Sequence, residues 1–103
     1  MTYREIAAVF AREPKDVHTV PTNGQQPRWF YVSTDNGTMF VEQAKNHIPS
    51  SRITVRRKLE ENEFDAILEI YQRRKRGMSV AREATEATKS QVYWYGIFSV
   101  MDL

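Results

Sequence analysis

Any chemistry in this chain would start with its cations. Arg73, Arg74, Lys75 and Arg76 stand consecutively in the stretch IYQRRKRG, and Arg52, Arg56, Arg57 and Lys58 form a second cluster before it. Clustered guanidinium and ammonium groups neutralise phosphates, and a surface that gathers them binds nucleic acid with an affinity that falls steeply with salt. These residues are the candidate nucleic-acid contacts. A purely structural role explains the same pattern. Glu60, Glu61, Glu63 and Asp65 precede a predicted helix and the four cations end it, so charges of opposite sign complement both ends of the helix dipole. The question that separates the two readings is whether the clusters share one surface.

Aromatic residues offer two further sites. Trp29, Tyr31 and Phe40 fall on one face of a predicted hairpin, where exposed rings would stack unpaired bases, with Arg28 at the edge. If helices cover both faces, the same rings are core. Near the end of the chain, Tyr93, Trp94, Tyr95 and Phe98 form an aromatic run, the composition of an interface anchor for a protein partner or a second copy of the chain.

The segment SVAREATEATKSQVYWY, residues 79 to 95, resembles the helix-turn-helix of resolvase-type DNA-binding domains. In those domains an Ala-Arg-Glu run precedes a Ser-x-Val-Tyr entry to the recognition helix. The resemblance implies that Ser90, Gln91, Val92 and Tyr93 open a helix that reads DNA. It departs at Glu86 and Ala87, where the turn glycine region falls, at Lys89, near an apolar position, and by about one residue in spacing.

Enzymatic signatures are missing from the sequence. Asp35, Glu42 and Lys45 suggest the acidic pair and lysine of a metal-dependent nuclease, but Glu42-Gln-Ala-Lys45 has one residue too many to put both groups on one face of a strand. His18 and His47 lack a neighbouring ligand set, Ser33, Ser50 and Ser51 lie in no nucleophile elbow, and no Gly-rich phosphate loop is present. With no cysteine, thiolate chemistry, disulfides and Cys-based zinc sites are excluded. The expectation is a non-catalytic binding module without cofactor or metal, with nucleic acid as the first partner class and a protein partner or homodimer as the alternative.

The composition fits one small globular domain over residues 1 to 103, with 41% hydrophobic and 27% charged residues. A net charge of only +2 means that any basic function must come from local clustering. No secretory signal or membrane span is visible, so a cytoplasmic, soluble protein is expected and the Asn36-Gly37-Thr38 sequon reads as a turn.

The elements that would position these residues follow from periodicity. Thr2 and Glu5 have capping-box spacing, and Tyr3, Ile6, Ala7 and Phe10 form one helical stripe that Pro14 ends, predicting a helix over residues 3 to 13. Val17 to Val20 forms a short extended edge. RWFYVST and TMFVEQ flank Asp35-Asn36-Gly37, which predicts a type I′ hairpin pairing Thr34 with Met39, Val32 with Val41 and Phe30 with Gln43. RITVRRKL is a possible third strand that Arg57 interrupts. Helical spacing then runs from Asn62, a potential cap, through Phe64, Ile67, Leu68 and Tyr71 to a stop at Gly77. Ser79 is placed to cap a last helix through Gln91; the aromatic and β-branched content of QVYWYGIF also suits a strand, but the roughly helical spacing of Ala84, Ala87, Gln91, Val92, Tyr95 and Phe98 favours continuing the helix. The predicted class is α+β: an N-terminal helix, the hairpin and two C-terminal helices packed on the sheet. Its core has Phe30, Val32, Met39 and Val41 meeting Ile6, Phe10, Phe64, Leu68 and Val92.

Overall fold

The computed structural model describes residues 1 to 103. In chain order its elements are α1 (Tyr3–Arg12), β1 (Lys15–His18), β2 (Trp29–Asp35), β3 (Thr38–Gln43), β4 (Arg57–Leu59), a 3-10 turn (Glu61–Glu63), α2 (Phe64–Lys75), α3 (Ala81–Ala87) and α4 (Gln91–Val100). The four strands form one antiparallel sheet in the order β1-β2-β3-β4. The class is α+β, with the N-terminal helix first, the strands next and the remaining helices last. No helix is long and apolar enough to cross a membrane.

Local chemistry sets the first half. Thr2 accepts from the Glu5 N–H at 3.2 Å and Glu5 accepts from the Thr2 N–H at 2.9 Å, a complete capping box on α1. Asn36 and Gly37 take φ of 50° and 77°, the two left-handed positions of the predicted turn. The hairpin register follows, with Thr34 opposite Met39, Val32 opposite Val41 and Phe30 opposite Gln43.

All the helices gather on one side of the sheet. Phe30, Val32, Met39, Val41 and Leu59 point to that side and are completely buried with Ile6, Phe10, Ile67, Trp94, Ile97 and Phe98. Thr34 donates to the Ala7 carbonyl at 2.8 Å, seating α1 over β2. The Tyr3 hydroxyl donates to the Leu59 carbonyl at 2.6 Å and accepts from the Met39 N–H at 2.8 Å, so one phenol joins α1 to β3 and β4. Burial holds the Tyr3 phenol above its ordinary pKa, which keeps it neutral and able to donate.

Gly96 lets α4 close on the sheet. A Cβ at this position would lie 2.6 Å from the His18 carbonyl oxygen and 3.0 Å from the Phe30 ring, so only glycine permits the approach. The contact also places α4 against β1, an edge strand only four residues long.

The second half departs from the periodicity in several places. The possible third strand is reduced to Arg57–Leu59, with Ile53 buried and Val55 exposed in the loop before it. Asn62 lies inside the 3-10 turn, and α2 begins without a side-chain cap. Ser79 does not cap either; α3 starts after Val80. The single last helix is broken at Thr88 to Ser90, where Glu63 accepts from the Thr88 hydroxyl at 2.8 Å and the Trp94 indole N–H at 3.3 Å. That break changes which side of α4 faces inward. Val92, expected in the core, is 47% exposed, and Leu68 sits at the core's margin.

Candidate functional site

The side of the sheet away from the helices carries the alternate residues of the same strands. Trp29, Tyr31 and Ser33 of β2 and Phe40 and Glu42 of β3 are all half-buried. In the ladder Trp29 lies opposite His18, Tyr31 lies between Asp16 and Glu42, and Phe40 lies between Ser33 and Lys58. The three rings proposed for stacking are therefore on one face, Trp29 and Tyr31 separated by about 7 Å along the strand and Phe40 on the neighbouring strand.

Each of these rings carries a basic side chain, and each of those side chains comes from the connection between β3 and β4. The Lys45 ammonium is 4.2 Å from the centre of Tyr31, and the Arg56 guanidinium carbon is 3.7 Å from the centre of Phe40. The His47 imidazole stacks on Trp29 at 3.9 Å with 16° between the planes, while His18 meets the same indole edge-on at 5.0 Å. Asp16 fixes this connection from below. Its buried carboxylate accepts from the Lys45 N–H at 3.0 Å, the Asn46 N–H at 2.8 Å and His47 Nδ1 at 2.8 Å. A carboxylate only accepts, so His47 carries its proton on Nδ1 and turns Nε2 outward. Burial pushes the Asp16 pKa up, but the three hydrogen bonds outweigh it and hold the carboxyl below the usual range. Trp29 is further tied to the loop by N–H to the Pro49 carbonyl at 2.8 Å and by its own carbonyl to the Ser51 N–H at 2.8 Å.

The basic clusters have separate destinations. Arg56 pairs with Asp35 at 3.4 Å and Lys58 with Glu60 at 3.7 Å, both beside the open face. Arg57 turns to α4, donating to the Lys89 carbonyl at 3.1 Å near the Tyr93 ring, and Arg52 is exposed. At the end of α2, Arg73 engages Glu69 and both carboxylate oxygens of Glu83, tying α2 to α3. Arg74 donates to the Val20 carbonyl at 2.7 Å and Lys75 to the Leu103 carbonyl at 2.7 Å. Arg76 stays exposed. The two clusters are separated in the chain by α2, 12 residues and so about 18 Å long, and they hydrogen-bond to different partners, Arg57 to the α3–α4 connection and Arg73, Arg74 and Lys75 to Glu83, Val20 and Leu103. Three of the four cations of IYQRRKRG are thus engaged in tertiary contacts within the fold.

The aromatic run near the end of the chain is mostly interior. Trp94 and Phe98 are 0% exposed and Tyr95 is 6% exposed, while Tyr93 is half-buried against Phe30. Trp94, Tyr95 and Phe98 hold α4 against Phe64 and Tyr71, so Trp94 and Phe98 offer no surface to a partner, while Tyr93 keeps part of its ring exposed. The same burial corrects the helix-turn-helix expectation. The exposed residues of α4 are Val92 and Val100, which have no donor or acceptor for a base edge, and Gln91 and Tyr93 are half-buried.

No group of three or more His, Cys, Asp or Glu side chains is assembled to hold a metal ion. Lys45, His47, Asp16 and His18 are the site residues that sequence reasoning missed as a group. Their spacing carries no signal, because they meet only when the β3–β4 connection folds back over the sheet. No protein family, curated protein or solved structure matches the chain.

Proposed function

We propose that the protein is a non-catalytic module that binds single-stranded nucleic acid on the open face of its sheet. Trp29, Tyr31 and Phe40 supply stacking surfaces for unpaired bases, and Lys45, Arg56 and Lys58 exchange their ring and carboxylate contacts for phosphates. The observation that carries the reading is the row of half-buried rings, each associated with a mobile type of basic or imidazole side chain, on a face that no helix covers. Stacking on side chains requires bases that are not already stacked in a duplex, so single strands are the matching partner class.

Fluorescence anisotropy with a labelled single-stranded oligonucleotide and its duplex tests this directly. The single strand should bind at low salt and the duplex more weakly. Tyr31→Ala should lower affinity, by about 1 to 3 kcal/mol if the ring stacks a base. Lys45→Gln and Arg56→Gln should each reduce the slope of log affinity against log salt by about 0.7 for every phosphate the side chain had neutralised. Absence of binding by the unmodified chain at low salt overturns the reading.

A further inference from the structure

A second candidate site lies away from the aromatic face, where the end of α2, the start of α3 and the β1–β2 connection meet. Two cavities of about 410 and 240 Å³ adjoin there, and Arg74 and Tyr95 line both. The Arg74 guanidinium carbon is 4.5 Å from the centre of the Tyr95 ring, and one terminal nitrogen donates to the Val20 carbonyl at 2.7 Å. Ring and carbonyl together fix the plane of the guanidinium, leaving its other N–H groups to face the cavities.

The charge around this group is one-sided. Neighbouring Arg73 is neutralised by Glu69 and Glu83, but Arg74 is paired with no carboxylate. Neither cavity is lined by Asp or Glu, and Arg28 lines the smaller one. A half-buried cation without a counter-ion is unfavourable unless an anion or water meets it. The remaining surface offers hydrogen bonds: Thr22 and Ser79 contribute hydroxyls, and the buried Gln91 Oε1 has no donor from the protein.

We propose that these joined cavities bind a compact organic anion, its phosphate or carboxylate group on Arg74 and a hydroxyl or N–H of the same ligand donating to Gln91 Oε1. The site is independent of the reading of the sheet face. Arg74 thus has a role beyond finishing α2: it is the one cation of IYQRRKRG that combines burial, fixed orientation and an unneutralised charge.

An NMR titration of the full chain with inorganic phosphate, glycerol phosphate, succinate and glycerol, at constant ionic strength, tests the proposal. None of these carries an aromatic base, so a response cannot come from stacking on Trp29, Tyr31 or Phe40. Saturable shifts are expected at the amides of Ser79, Gln91 and Tyr95 with glycerol phosphate or succinate, and none with glycerol. The tighter of the two anions identifies the charged group. Arg74→Lys, which keeps the charge and loses the planar fork, should weaken binding about tenfold. Gln91→Leu should remove the advantage of glycerol phosphate over inorganic phosphate, and it decides alone if Arg74→Lys fails to fold. Non-saturating shifts spread equally over Arg28, Arg52 and Arg76, or unchanged affinity in a folded Arg74→Lys protein, would overturn the site.

Discussion

The two faces of the sheet are made from alternate residues of the same strands, and they have opposite surroundings. Phe30 is completely buried beneath α4, next to Tyr93 and Gly96, while Trp29, one residue earlier, is half-buried between the His47 and His18 imidazoles. Met39 lies in the core, its N–H donating to the Tyr3 hydroxyl; Phe40 has the Arg56 guanidinium above it. Residue type does not distinguish the members of these two pairs, since all four side chains are aromatic or apolar. What distinguishes them is the layer above: packed helices on one side, one loop with polar and basic side chains on the other. A ring under a helix contributes stability, and under the proposed function a ring beneath Lys45, His47 or Arg56 exchanges its cover for a base.

Substitutions on matched positions should separate the faces by size of effect. Phe30→Ala removes a fully buried ring and is expected to cost about 3 to 5 kcal/mol in denaturant unfolding, whereas Phe40→Ala on the open face should cost about 1 kcal/mol or less. Equal losses would mean that the open face is as much a core as the covered one. Gly96→Ala should come next, at about 1 to 3 kcal/mol, because the new methyl meets the His18 backbone rather than a yielding side chain. Tyr3→Phe keeps the ring and leaves the Met39 N–H without its acceptor, at about 1 to 2 kcal/mol by thermal or chemical melts.

The smallest effect belongs to the loop that covers the open face. Asp16 has a folded pKa below that of an ordinary carboxyl, so its contribution is fully present above the unfolded value, about 3.9, and is lost as pH falls through the lower folded value. The protection factors of the Lys45 and Asn46 amides, that is exchange rates corrected for the intrinsic slowing of exchange in acid, should therefore fall in that acidic window while those of Val32 and Val41 stay high. Asp16→Asn should abolish the pH dependence of those two protection factors.

The legible parts of the fold were those governed by neighbours in sequence. The capping box at Thr2 and Glu5, the stop at Pro14 and the Asn36-Gly37 turn each depend on residues a few positions apart, and the hairpin register follows from the turn. The division of the last helix was not legible, because the Thr88 and Trp94 bonds that accompany it come from Glu63, 25 and 31 residues away. Arg73 to Arg76 looked like one cluster because they are consecutive, yet on a helix consecutive side chains point about 100° apart, and their partners are α3, the β1–β2 connection and the C-terminus. The stacking candidates Trp29, Tyr31 and Phe40 were visible from strand parity alone. Their covering residues were not, since Lys45, His47 and Arg56 reach the rings only through the fold of a long connection.

On the proposed function the open face, and not the end of α2, receives the nucleic acid. Affinity for a single-stranded oligonucleotide at low salt, measured in parallel for the unmodified chain, for Tyr31→Ala with Phe40→Ala, and for Arg73→Gln with Arg76→Gln, tests it most directly. The expected result is binding that the ring substitutions reduce by at least about tenfold, as stacking energies of 1 to 3 kcal/mol per base require, and that the α2 substitutions leave within about threefold. Binding that survives loss of both rings but disappears with Arg73 and Arg76 would contradict it.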